Sequence, residues 1–303
     1  MSDERSGQRP TKNERRTAAR QKAQELREKQ KRRDKRNRLL LQGGIGVGVI
    51  AVIAVIVLVF TSFSRPAVAS PANMASDGVV VGAGLKVIPT PSLPEGAEPI
   101  ATQPDEQKPN VRIFLDYLCP YCGQFEQANA EMLTGLLESD AITVEYHPLA
   151  LLNNQSLGTK YSQRAANAAA CVVNFAPDSF FDFNTLMFQN QPAEGTEGLD
   201  DEQIKELVSQ AGAEPTSQIN TCIDEQTYAS WVKAASDRAI DGGIQNASIT
   251  SLTGTPTILV NGAQYTGSPT DPDELRQFIV TTAADDYATS SPSPSAEPDE
   301  GGE

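Results

Sequence analysis

Residues 111–126, VRIFLDYLCPYCGQFE, decide the fold. Val111 to Asp116 is a short, mostly apolar run with the length and composition of a buried strand. From Phe125 onward apolar residues return at three- and four-residue steps: Phe125, Ala128, Met132, Leu133, Leu136 and Leu137. That spacing is one face of a helix. Between strand and helix sits Cys119-Pro120-Tyr121-Cys122. At a helix N-terminus the unpaired N–H groups and the macrodipole favour an anion, so the first cysteine's thiolate is stabilised there. The spacing lets the second sulfur reach the first to close a disulfide. Pro120 suits the first helical turn, where its missing N–H costs nothing. Cys119 is therefore expected as an exposed nucleophile and Cys122 as the more buried resolving thiol, in preference to an inert structural pair.

Working outward, Ile142 to Tyr146 (ITVEY) alternates and predicts a second strand. From Lys160 to about Ile244 the patterns are all helical: AANAAACVVNFA, SFFDFNTLMFQ, DEQIKELVSQAGA and YASWVKAASDRAI. Thr257 to Val260, then Asn261-Gly262, then Ala263 to Tyr265 predict a hairpin with a favoured two-residue turn. Asp273 to Thr282 closes as a short helix. The order strand, Cys-x-x-Cys, helix, strand, helical block, hairpin, helix is that of an α/β thioredoxin-like fold. Its helical subdomain is inserted at about 160–245, and the folded domain spans about 77–283. Gly254-Thr255-Pro256 leads into the strand at Thr257. Proline is allowed at a strand start, and a cis X–Pro bond is a common reason for one in a tight turn. In this fold that loop faces the cysteine pair, and Thr255 could pair with an extended substrate backbone beside Cys119.

The rest of the inventory excludes more than it adds. Four cysteines and one histidine leave little for a zinc site, and their spacing is not that of a zinc module. No metal or cofactor is expected. His147, followed by Pro148, reads as a strand-end residue; no nucleophile-elbow motif accompanies it. Trp231 with Tyr228, and Phe180, Phe181 and Phe183, read as core. Asn246-Ala247-Ser248 matches a glycosylation sequon by pattern only.

Net charge is −14, but residues 1–38 hold fifteen Lys/Arg against six Asp/Glu, and the remainder is strongly acidic. An acidic body argues against nucleic acid as a partner, because phosphate binding needs clustered Lys/Arg on the folded part. The basic head reads as a solvated cytoplasmic tail beside anionic lipid. Leu39 to Phe60 (LLLQGGIGVGVIAVIAVIVLVF) carries no charge over twenty-two residues. At about 1.5 Å per residue it would span about 33 Å, enough for a hydrocarbon core of roughly 30 Å. With only Arg65 just beyond, the positive-inside rule puts the N-terminus in the cytoplasm and the domain outside. Ala67-Val68-Ala69 keeps a cleaved signal peptide open as the rival reading. Residues 61–76 are expected to be a flexible linker, and residues 284–303 a disordered acidic Ser/Pro tail.

FLDYLCPYCGQFE and GTPTILVNG together resemble the DsbA-like branch of the thioredoxin superfamily. The single anchor and a second cysteine pair in the helical block are similar to its actinobacterial cell-envelope members. The resemblance implies a monomeric thiol–disulfide oxidoreductase that oxidises reduced exported proteins. It also implies a membrane quinone-linked reoxidase of the DsbB or VKOR type. Carried onto this chain, Cys119 and Cys122 are the redox pair and Thr255 with Pro256 forms the cis-proline loop. A disulfide reductase or isomerase of the same fold, or a non-catalytic thioredoxin-fold binding or chaperone module, stays open as an alternative, because one departure leaves the direction of reaction open. Strong oxidants of this branch often have Pro-His between the cysteines, whereas Pro120-Tyr121 stands here and a neutral Tyr121 contributes no cation. Asp116 would also disfavour the thiolate if close. With 119–122 assigned by motif, Cys171 and Cys222 are the remaining pair. They are expected as a structural disulfide, with a second redox relay as the alternative.

Overall fold

The computed structural model describes residues 27–33, 68–103, 105 and 108–290. Residues 27–33 form a short exposed helix, α1, in a unit separate from Pro66–Glu303. The expected membrane span at 39–60 and the tail beyond residue 290 lie outside the described residues. Among the described residues no helix is long and apolar enough to cross a membrane.

Six strands form one sheet in the order β2-β1-β4-β3-β5-β6. They are β1 (Val79–Gly82), β2 (Lys86–Val87), β3 (Asn110–Leu115), β4 (Thr143–Pro148), β5 (Thr257–Val260) and β6 (Ala263–Gln264). The central pair β3 and β4 is parallel, with Ile113 opposite Tyr146, as a connection through a helix requires. Strand β5 runs antiparallel to β3, with Ile258 opposite Ile113. All six residues of β3 are buried. Val111, Ile113 and Leu115 join the large core under α2 (Pro120–Glu138), while Phe114 joins Leu149, Ala239, Leu252 and Leu259 in a smaller second cluster. Asn261 and Gly262, at φ 47° and 84°, supply the two positive-φ positions that the β5–β6 turn needs.

The helical insert is α3 (Tyr161–Phe175), α4 (Phe180–Gln189), α5 (Asp201–Gln210), α6 (Thr216–Asp224) and α7 (Ala229–Asp241), within the expected 160–245. Asp200 caps α5 in a complete capping box with Gln203. Phe180, Phe181, Phe183 and Trp231 are core, as their patterns imply. A Cys171–Cys222 disulfide joins α3 to α6, with 5.9 Å between the Cα atoms.

Two expectations need correction, and one hairpin was not expected at all. The linker does not run to residue 76, because Met74 and Ala75 are buried. Ala72 N–H donates to Asn174 Oδ1, and the Asn73 amide donates to the Val173 carbonyl, so this segment is fastened to the end of α3. Small polar residues carry no periodicity, and their partners lie about a hundred positions away. The β1–β2 hairpin was also unforeseen: strands of four and two residues are too short for alternation to show. Finally, α8 (Pro272–Ser290) continues past Thr282 into residues expected to be disordered. Ala283 and Ala284 are good helix formers, and no proline intervenes before residue 292.

Candidate functional site

Strand β3 ends at Leu115, and four residues later Cys119 stands as the N-cap of α2, with Pro120 in its first turn. The turn between them is built by Asp116. Its buried carboxylate accepts the N–H of Leu118 at 2.9 Å, of Leu151 at 2.8 Å and of Leu152 at 2.9 Å. Burial raises the pKa of this carboxyl. Its oxygens are thus taken up by loop N–H groups, and the groups acting on Cys119 are others.

Cys119 and Cys122 are free thiols in this structure. A hydrogen bond from Cys122 holds the Cys119 thiol at about 6, against the upward push of burial. Thr255 and the backbone N–H groups of Cys122 and Tyr121 add to the lowering. The Cys122 thiol moves the other way: burial raises it well above its ordinary value, and Cys119 raises it further. The motif therefore holds one acidic and one resistant thiol, the asymmetry expected at a helix N-terminus.

Exposure differs from expectation. Cys119 is only 4% exposed, and the exposed member of the motif is Tyr121, at 63%. The covering group is the loop before β5. Thr255–Pro256 is a cis peptide, and the Thr255 carbonyl oxygen lies 3.2 Å from Cys119 Sγ. Sequence reasoning paired this loop with the cysteines but did not foresee how closely it sits on the sulfur.

On its inner face α2 buries Cys122, Phe125, Glu126, Asn129, Met132, Leu133 and Leu137. Two polar residues in that stripe went unnoticed in the sequence. Asn129 donates its amide to the carbonyls of Phe125 and Pro269, each at 2.8 Å. Burial pushes the Glu126 carboxyl up to about 7, and Asn184 of α4 bonds it. Asn184 also accepts the Tyr117 hydroxyl at 2.9 Å. A groove of about 640 Å³ opens beside the motif, between α2 and α4, and Pro120, Gly123, Gln127, Phe188 and Gln191 line it.

His147 meets other partners. It is buried, lies 3.1 Å from Glu145 and stacks on Phe114. Burial pushes the Glu145 carboxyl up, but His147 and Arg112 outweigh it and hold the carboxyl at about 2. Among the described residues no group of His, Cys, Asp and Glu could hold a metal ion.

The thioredoxin family pattern matches residues 105–280, from the approach to β3 into α8. The chain belongs to the thioredoxin family. Disulfide bond formation protein D of Bacillus subtilis is 29% identical over 175 residues, covering 58% of this chain and 72% of that protein. The serine/threonine-protein kinase PknE of Mycobacterium tuberculosis is 32% identical over 111 residues, 35% of this chain. The chain spans only 20% of that kinase's length. Among solved structures, oxidised DsbA of M. tuberculosis is 26% identical with a TM-score of 0.52, covering 71% of this chain and 100% of that one. The reduced disulfide bond oxidoreductase DsbG of M. tuberculosis is 27% identical with a TM-score of 0.51, covering 72% and 95%.

Proposed function

We propose that this thioredoxin-family protein is a DsbA-like thiol–disulfide oxidoreductase that introduces disulfides into exported proteins. The observation that carries the reading is the asymmetry of the pair, with Cys119 acidic at the head of α2 and Cys122 buried and resistant to ionisation. In the oxidised enzyme a substrate thiolate attacks Cys119 Sγ, the Cys119–Cys122 bond breaks, and Cys122 leaves and takes a proton. A second substrate thiolate then attacks the substrate sulfur of the mixed disulfide. Cys119 leaves as a thiolate, and its low pKa speeds that step. Two electrons have passed from substrate to enzyme, and the substrate holds the new disulfide. The backbone of Thr255 and the ring of Pro256 flank the substrate chain at Cys119. Family resemblance supplies the reoxidase, a membrane quinone-linked partner of the DsbB or VKOR type. The anchor at 39–60 holds a monomeric domain outside the cell membrane, where the Cys171–Cys222 bond also persists.

A reductase is the second reading, favoured by one observation. A Cys119 thiol at about 6 lies nearer thioredoxin's, about 7, than DsbA's, about 3.5. The reduction potential of the 119–122 couple decides: near −120 mV the enzyme oxidises, near −270 mV it reduces. Cys122→Ser should accumulate mixed disulfides with substrates through Cys119. Their accumulation in Cys119→Ser instead would reverse the roles. A protein inert both in refolding of reduced substrate and in insulin reduction would be a binding module.

A further inference from the structure

Gln191 lies just beyond α4, seventy-two positions from Cys119, yet it reaches the redox loop. Its amide nitrogen donates to the carbonyl of Tyr117 at 3.1 Å and to that of Cys119 at 2.9 Å. The Cys119 carbonyl also receives the N–H of Cys122 at 3.0 Å and of Gly123 at 3.2 Å, so Gln191 joins the first hydrogen bonds of α2. On its other side the Gln191 carboxamide oxygen fills the space beside Gly123. A Cβ there would come within 2.2 Å of Gln191 Oε1, closer than any side chain tolerates. Two further contacts clamp the same loop to the insert: the Tyr117 hydroxyl on Asn184, and the Tyr117 ring 5.1 Å from that of Phe188.

We propose that Gln191 is a positioning residue, through which the helical insert fixes the loop carrying Cys119. The physical reasoning is local. A carbonyl oxygen carries negative charge that a neighbouring thiolate would feel. Donation by Gln191 draws on that charge and fixes the tilt of the Tyr117–Leu118 and Cys119–Pro120 peptide planes. Fixed planes keep the Tyr121 and Cys122 N–H groups aimed at Sγ, where they lower the thiol's pKa. Glycine at 123 is then required by the tether, because its φ is not in the left-handed region and the helix alone would accept alanine.

The proposal deepens the oxidoreductase reading and rests on it for its meaning, but its test needs no substrate. The Cys119 thiolate is titrated by ultraviolet absorbance in the reduced full-length protein and in Gln191→Ala, Gly123→Ala and the double variant. Gln191→Ala should lower the thiolate fraction at pH 6 at least twofold. Gly123→Ala should do the same by expelling the carboxamide. The double variant should match Gln191→Ala alone, because the clash has gone with the side chain. Gln191→Glu keeps the shape but replaces the donor by an acceptor facing two carbonyls, so it should act at least as strongly. It also serves if the alanine variant is poorly folded. Native-like circular dichroism with wild-type titration in both Gln191 variants would overturn the tether. So would equal and additive effects of Gly123→Ala in the two backgrounds. An enzyme without redox activity but with the expected titrations would overturn the proposed function and leave the tether standing.

Discussion

The acidity of Cys119 has a consequence that changes sharply with pH. At pH 7 a thiol at about 6 is about 90% thiolate, against about 3% for an ordinary thiol near 8.5. That thirtyfold advantage is nearly cancelled, because intrinsic nucleophilicity falls with pKa at a Brønsted slope of about 0.4–0.5, roughly fifteenfold over this difference. At pH 7 the reduced protein should therefore attack a small disulfide only about twofold faster than a model thiol. At pH 5 the thiolate fractions are about 9% and 0.03%, and the same correction leaves a net advantage of about twentyfold.

The assay is the second-order rate of reaction with a chromogenic pyridyl disulfide from pH 4 to 9. The profile should have its midpoint near 6. The largest downward influence is the hydrogen bond from Cys122, so Cys122→Ala should move the midpoint up, and Cys122→Ser, which keeps a donor, should move it less. The linkage sign follows. A thiol depressed in the folded state stabilises the reduced fold fully above its unfolded pKa, and that stability is lost as pH falls through about 6. The oxidised form has no such titration. A midpoint at 8 or above, or one that Cys122→Ala leaves in place, refutes the reasoning.

Replacing Cys171 and Cys222 together by Ser should leave redox activity intact while removing about 4 kcal/mol, the chain-entropy value for a loop of this separation. For a domain of this size that is a fall of about 10 °C in melting temperature, read by calorimetry; peptide mapping that links either to 119 or 122 at rest would contradict it. Glu126, raised to about 7 by burial, costs stability progressively as pH rises from the ordinary carboxylate range to 7, up to about 3 kcal/mol. Glu126→Gln should accordingly stabilise at pH 8 and not at pH 4, which urea titration at both values checks. An N-terminal tag should stay with the membrane fraction while external protease removes the part beyond residue 60; a soluble chain beginning near Ser70 would mean a cleaved signal.

What was legible in the sequence was local. The VRIFLD strand, the cysteines at the helix start and the NG hairpin each declare themselves within a dozen residues, and a thioredoxin-like order follows from them. The Thr255–Pro256 loop was legible because the fold itself supplies its partner. Contacts that depend on distant residues were not. Asn73 on α3, Gln191 on the redox loop and Asn129 on Pro269 are polar side chains whose roles need a partner seventy or more positions away. Glu126 left one trace: a carboxyl one turn beyond Cys122, inside an apolar stripe, is misplaced unless a partner meets it there. The depth at which Cys119 sits left none, since the covering Thr255 carbonyl is backbone and carries no sequence signature.

The same residue type serves two ends in this chain, and helix position separates them. Cys119 caps the N-terminus of α2, where free N–H groups and the positive end of the dipole favour a thiolate. Cys222 lies in the last turn of α6, at the negative end of that helix. Cys171 is fully buried within α3. Exchange needs a thiolate with access to a disulfide, and these two sulfurs are bonded to each other and buried. We propose from these positions that the second pair is a structural staple rather than a redox relay.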